Sequence, residues 1–404
     1  MNLPIASASD LAGPTRIQTC SCGTEVRHTL SGREALEVVP CPTCQGEVLF
    51  TSYERMDIGL SEYCNLKCQM CRRPSETLFM DAEWCKLVMS EAAAVGVETI
   101  SFSGGEPFVH PKILNLLEHA FSLGTKVQMV SNGTLIKEKH LELLSKLDCL
   151  TISIDGTEAA HDKIRRREGT WRRSMQTIEM LATKSDIQWG TNTVMQQDNY
   201  DVLWDSFRAI QEVGKLKYAY CGFSHVEVVP ETAHLQMTPE QSRAAHAQIQ
   251  RIAKACEDTH TWFNDKTMLL DHWDSYAQKE KRYRPMQGCR IPQKFIGFTD
   301  HGFYLCWHQG RNIKMESLIG ALRSDLARDI VLEGLEKRCV ACNCFNYSWD
   351  DEWNAGIMDS AKAGESVDGV VAFKDPDRDA GRVSLKMVTG GSTSNTLDMH
   401  DDGV

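Results

Sequence analysis

Sixteen cysteines in 404 residues limit what this chain can fold into more than any other feature does. Their placement matters more than their number. Cys20, Cys22, Cys41 and Cys44 form one group, Cys64, Cys68 and Cys71 a second, and Cys289, Cys306, Cys339, Cys342 and Cys344 a third. The N-terminus, MNLPIASASDLAGPTR, has neither the basic start nor the apolar stretch of an export signal. The thiols are therefore expected to stay reduced in a cytoplasmic protein and to bind metal rather than pair as disulfides. Cys85, Cys149, Cys221 and Cys256 are scattered through helical or strand-like text, where a buried structural thiol is the default expectation.

The chain is too long for one small domain and suits a large barrel with appendages. No apolar run approaches the roughly 18–20 residues of a membrane span. A net charge of −11 argues against a nucleic-acid backbone or an anionic membrane as partner. Strand-like runs at 54–60, 97–102, 126–130, 150–154, 187–194 and 225–229 alternate with amphipathic stretches at about 81–95, 111–123, 136–147, 170–184 and 201–213. Six such units predict an α/β fold, a partial (β/α)6 TIM-type barrel, with its chemistry at the C-terminal strand ends. The expected organisation is a ribbon-like segment at 15–50, the barrel at 54–235, a helical linker or cap at 236–288, a cysteine-bearing α+β extension at 289–346, and a mobile tail at 360–404.

Cys64-Asn-Leu-Lys-Cys68-Gln-Met-Cys71 places three thiols in eight residues on a loop just after a strand. Three thiolates cannot fill four positions, so a [4Fe–4S] cluster held here would keep one iron open. The alternative is a zinc knuckle that borrows a distant ligand. Further polar motifs follow the later strands: Ser103-Gly104-Gly105-Glu106-Pro107, Ser131-Asn132-Gly133-Thr134, Ser153-Ile154-Asp155-Gly156, and then the run from His161 to Gly169, HDKIRRREG. Taken singly, each is a tight turn, a loop or a solvated helix face.

Together, in this order, they resemble the radical S-adenosylmethionine (SAM) superfamily over about residues 54–235. The resemblance implies that Cys64, Cys68 and Cys71 hold a [4Fe–4S] cluster, and that Gly104, Gly105 and Glu106 hold the amino group of SAM. Asn132 would belong to the cofactor-binding set, Ser153 and Asp155 would meet the ribose hydroxyls, and Arg165 or Arg166 would meet the SAM carboxylate. It further implies an enzyme that reductively cleaves SAM to a 5′-deoxyadenosyl radical, and a low-potential flavodoxin or ferredoxin as electron donor.

Cys289, Cys306, Cys339 and Cys342 resemble the twitch subdomain, the shortened SPASM extension, which implies one auxiliary [4Fe–4S] cluster. Cys344 is a surplus thiol able to replace Cys339 or Cys342, and a structural zinc site is the alternative. Cys20-Ser-Cys22-Gly and Cys41-Pro-Thr-Cys44-Gln-Gly read as the two knuckles of a zinc ribbon, with His28 a substitute ligand and a rubredoxin-like iron site a further alternative. The single-cluster extension points to oxidation of a small polar substrate such as a sugar or aminocyclitol. A peptide crosslinker or epimerase is the alternative, and a non-catalytic iron–sulfur and zinc sensor a remote one. An epimerase would need a hydrogen donor, for which Cys221 is the candidate.

Overall fold

The computed structural model describes residues 14–71, 79–214, 220–226, 230–258, 262–263, 294–306, 311–336, 370–374 and 383–387. Two antiparallel hairpins open the chain: β1 (Thr15–Thr19) with β2 (Glu25–Thr29), and β3 (Glu37–Pro40) with β4 (Glu47–Phe50). Each turn carries one cysteine pair. Cys20, Val26, Leu30, Cys41, Val48 and Phe50 form the core between the hairpins, too little apolar surface to hold such a unit unaided.

The barrel follows as β5 (Arg55–Gly59), α1 (Ala82–Ala94), β6 (Thr99–Ser103), α2 (Ile113–Ser122), β7 (Lys126–Ser131), α3 (Leu141–Leu144), β8 (Cys149–Ser153), α4 (Glu158–Arg165), α5 (Thr170–Lys184), β9 (Trp189–Met195), α6 (Leu203–Val213) and β10 (Tyr220–His225). After it come α7 (Pro239–Asp258), β11 (Trp262–Phe263), β12 (Phe295–Thr299), β13 (Gly302–Tyr304), α8 (Leu318–Leu322) and α9 (Asp325–Glu336). One nine-stranded sheet runs β11-β10-β9-β8-β7-β6-β5-β12-β13. Strands β5 to β10 are parallel neighbours in chain order, β12 joins in parallel beside β5, and β13 closes the edge antiparallel. This is the expected partial barrel.

Strand alternation gives the sheet two unlike faces. Met56, Ile58, Ile100, Phe102, Val127, Met129, Leu150 and Ile152 are fully buried on the helix side. The opposite, inner face is polar. Asp57, Ser101 and Gln128 lie at one register level across β5, β6 and β7. The Arg55 guanidinium donates to all three, at 2.5, 2.8 and 3.0 Å. A barrel whose inner face carries such a network is built around a polar interior rather than an apolar plug.

Several expectations are corrected. The sixth strand, Tyr220–His225, begins five residues before the expected 225–229, of which 227–229 lie outside the described residues, and it pairs residue for residue with β9. The helix expected at 136–147 shrinks to a 3-10 turn, Glu138–His140, and the four residues of α3. The stretch 318–336 forms two helices rather than one, because the Ser324 hydroxyl accepts the Ala327 amide and starts α9 afresh. Within the expected tail, β14 (Val370–Lys374) and β15 (Val383–Met387) form an antiparallel hairpin in a unit of its own. Their alternating valine-rich text is what a strand pair requires.

Candidate active site

Every element that bears a site motif ends at the same rim, the C-terminal ends of the parallel strands. Cys64, Cys68 and Cys71 sit on the loop after β5, and the first two are half-buried while Cys71 is exposed. Burial first, then the charges of Glu106, Cys68 and Cys71, pushes the Cys64 thiol up to about 11. Burial likewise raises Cys68, against the pull of Arg165. Coordination by a metal would reverse these shifts, since it takes the thiolate.

The rest of the motif set braces this loop. Gly104 has φ +122°, in the region that favours glycine, and a Cβ there would lie 2.9 Å from the Ser61 carbonyl oxygen. At Gly105 a Cβ would fall 2.0 Å from the Tyr63 carbonyl oxygen. The Gly105 amide donates to Ser61 at 2.7 Å and the Glu106 amide to Tyr63 at 3.3 Å. The two glycines therefore let β6 approach the cysteine loop itself, a closer and more specific use than the expected approach to a ligand.

Glu106 is 1% exposed. Its carboxylate accepts from the Ser131 hydroxyl at 2.8 Å, the Asn132 amide at 2.7 Å and the Phe108 amide at 3.2 Å. Burial pushes its pKa up although these bonds oppose the shift. All three donors are neutral, so a bound ammonium would supply the compensating charge. Asn132 is a brace: its side-chain amide donates to Asn65 at 2.8 Å, and its oxygen accepts from the Thr134 amide and hydroxyl. Asn65, which sequence reasoning passed over, donates in turn to Thr134 at 2.8 Å. Its position inside the cysteine motif was the available signal.

The structure separates Arg165 from Arg166. Arg165 is buried, and it donates to the Asp155 carboxylate at 2.6 Å and to the Cys68 sulfur at 3.6 Å. Arg166 ends α4 in the left-handed conformation, φ 55°, which turns its side chain into solvent. Asp155 is fully buried, with its second oxygen taken by the Val194 amide at 2.9 Å. It therefore holds Arg165 rather than facing a ribose. His161 accepts the Asp155 amide at 3.1 Å, and burial drops its pKa to about 2, so it serves as a neutral acceptor. Ser153 ends β8 on the inner face, level with Asn192.

Cys221 does not join this set. It is the second residue of β10, near the strand's N-terminal end, and it shares the helix-side face with Thr191 rather than the inner face with Asn192 and Ser224. It is 1% exposed. A hydrogen-donor role for Cys221 does not fit this placement, because a side chain one position out of phase points through the sheet. Of the third cysteine group, Cys306 is described and buried beyond β13, while Cys289, Cys339, Cys342 and Cys344 lie outside the described residues.

The first group is assembled in full. The sulfurs of Cys20, Cys22, Cys41 and Cys44 all lie within 4.8 Å of one another. Cys20 and Cys44 are 3.4 Å apart, and Cys22 and Cys41 3.6 Å. A zinc tetrahedron with arms of about 2.3 Å has edges of about 3.8 Å, so the set fits a single ion. Hydrogen bonding with Thr24 lowers Cys22 to about 6. Cys44 rises to about 12 in spite of the Gly46 amide, because it shares protons with Cys20 and Cys22. His28 is not a ligand: it bonds Glu37 at 2.7 Å. The Cys64, Cys68 and Cys71 sulfurs form no such 4.8 Å group. Three thiol donors on one loop are one short of four, the donor set of a [4Fe–4S] cluster with one open position.

The ribbon lies at the other end of the strands. Arg16 bonds Glu98 and sits 3.7 Å from Glu54, and these glutamates precede β6 and β5. Glu47 and Glu34 pair with Arg323 and Arg328 beside α8 and within α9. Glu91 on α1 accepts the Ser317 hydroxyl and the Leu318 and Ile319 amides, capping α8 against the barrel.

Residues 58–210 match the family model described as the radical SAM superfamily. An AdoMet-dependent heme synthase of Methanosarcina barkeri is 28% identical over 197 residues, covering 47% of this chain and 54% of the relative. The sporulation killing factor maturation protein SkfB of Bacillus subtilis is 38% identical over 130 residues, covering 31% of this chain and 32% of the relative. PqqA peptide cyclase of Gluconobacter oxydans is 29% identical over 162 residues, covering 38% and 45%. The chain thus spans about half, or less, of the curated relatives it matches. Streptococcus suis SuiB bound to S-adenosylmethionine shares the fold, with a TM-score of 0.54 at 17% identity over 71% of this chain and 67% of that one. No helix among the described residues is long and apolar enough to cross a membrane. The matched segment runs from β5 to α6 and takes in all three loop cysteines together with the groups that brace them, so this part of the chain is a radical SAM domain.

Proposed function

We propose that this chain is an enzyme that reductively cleaves SAM and uses the resulting radical to modify a peptide. The observation that carries the first half is the pairing of three loop sulfurs with a fully buried Glu106 on the neighbouring strand end. A [4Fe–4S] cluster with one open iron, when bound, supplies the electron that splits SAM into methionine and a 5′-deoxyadenosyl radical able to take a hydrogen atom from substrate.

The chain's own part is to bind and to orient. Cys64, Cys68 and Cys71 hold the cluster, and Gly104 and Gly105 fix their loop. Glu106 offers a desolvated carboxylate to the SAM ammonium, and Arg165, held by Asp155, offers a guanidinium beside Cys68 for the SAM carboxylate. Ser153 faces the ribose side.

The peptide half rests on relatives whose names describe peptide cyclisation or maturation. It replaces the sugar or aminocyclitol expected from the cysteine count alone. An auxiliary [4Fe–4S] cluster on Cys306 with members of the set Cys289, Cys339, Cys342 and Cys344 would accept the electron left on an oxidised substrate. Zinc in the ribbon has a structural role.

The test is anaerobic reconstitution followed by incubation with SAM and dithionite. The expected result is 5′-deoxyadenosine and methionine in equal amounts, abolished in the Cys64→Ala/Cys68→Ala/Cys71→Ala protein. Intact SAM would overturn the reading. A panel of synthetic peptides should accelerate cleavage where sugars and aminocyclitols do not, and the opposite pattern would return the substrate to a small metabolite.

A further inference from the structure

We propose that an acidic one-electron carrier protein docks on a cationic face formed by the end of α4, the start of α5 and the cysteine loop. The inference rests on the SAM-cleaving function above, which consumes one electron from outside the chain in each cleavage.

The face is a local reversal of the chain's charge. The protein carries a net −11, yet Lys67, Lys163, Arg166, Arg167, Arg172 and Arg173 are all exposed here, with Glu168 the acidic side chain exposed among them. Lys163 and Arg172 are neutralised by Asp198 at 2.9 Å and Glu158 at 2.6 Å. Among the described residues, Lys67, Arg166 and Arg173 have no ion-pair partner, and Arg167 spends its guanidinium on a backbone oxygen. The left-handed turn at Arg166 is what sends one arginine inward and the next outward.

Position makes the charge meaningful. The Arg167 guanidinium donates to the Asn65 carbonyl at 3.0 Å, and the Gln69 amide to the Ile164 carbonyl at 2.8 Å. The Gln69 side chain donates to the Lys163 carbonyl at 3.2 Å. Arg165, one residue from the exposed Arg166, touches the Cys68 sulfur. The cationic surface is thus the outer wall of the cysteine loop, where Cys71 is itself exposed. Electron transfer weakens steeply with distance, so a donor is best placed against this wall. An acidic chain repels an acidic carrier over much of its surface and steers it to this region of opposite sign. In the transfer the carrier is oxidised by one electron, and that electron breaks the C–S bond of the SAM sulfonium, leaving methionine.

The experiment compares the full-length reconstituted protein with its Lys67→Glu/Arg166→Glu/Arg173→Glu variant. Formation of 5′-deoxyadenosine is driven either by reduced flavodoxin or by dithionite. With flavodoxin, the rate should fall by about ten- to a hundredfold and lose its dependence on salt. With dithionite, the two proteins should match. A Lys126→Glu/Lys146→Glu/Lys184→Glu variant makes the same change of net charge at the opposite end of the strands, and it should keep the flavodoxin-driven rate. An unchanged flavodoxin-driven rate in the first variant would overturn the proposal, as would an equal loss in the second. Failure of the unsubstituted protein to cleave SAM with dithionite would instead refute the function it rests on.

Discussion

The two described sulfur centres stand at opposite ends of the same strands and differ in completeness. In the ribbon, four sulfurs converge with almost no help, supported by a handful of apolar side chains and two tight turns. At the rim, three sulfurs are held by groups drawn from β6, β7, α4 and the turn before α5, and a coordination position is left over. A centre that closes on itself needs only local sequence. One that must keep a position open cannot use its ligands to define its shape, so the rest of the barrel has to do so.

Substitutions can break that contrast. The largest effect is expected at Gly105→Val, whose side chain would enter the Tyr63 carbonyl. Bound iron should be lost and SAM cleavage should fall at least about a hundredfold, with zinc retained, as metal analysis and product assay would report. Zinc lost in parallel would mean the centres are not independent. Next comes Asp155→Ala, which strands a buried guanidinium. Denaturant titration should show about 3–5 kcal/mol of destabilisation. Stripping zinc with a chelator sharpens the comparison from the other side: the ribbon hairpins should lose protection from hydrogen exchange while iron content and SAM cleavage hold. The smallest effect belongs to Arg16→Ala, which removes a partly exposed bridge between ribbon and barrel. Under about 1 kcal/mol is expected by the same titration.

Much of this contrast was legible in the sequence. Cysteine spacing located both centres, and the alternation of periods located the barrel, because both are local properties of the text. Where sequence reading fell short, the missing information was conformational or non-local. Nothing in RRRE distinguishes Arg165 from Arg166 until one residue adopts positive φ. Cys221 looked well placed until the strand began five residues earlier than expected, which set its face and its depth. Asp155 and Asn132 were assigned toward a ligand, yet their partners come from other strands and loops, and no spacing rule predicts them. Arg55 and Gln128 gave no signal at all, since an isolated polar residue in strand text does not announce which partners its neighbours will bring.

One pairing bears on how the molecule comes off the ribosome. The outer edge of β5 is covered by β12, which is encoded after the whole barrel. Until Phe295–Thr299 emerge, the first barrel strand presents a bare ladder of amides and carbonyls, flanked by fully buried residues such as Met56 and Ile58. Such an edge invites pairing with another nascent copy. A chain stopped before Phe295 would hold every residue of the SAM site and still be expected to aggregate, so the extension acts as the barrel's last stave.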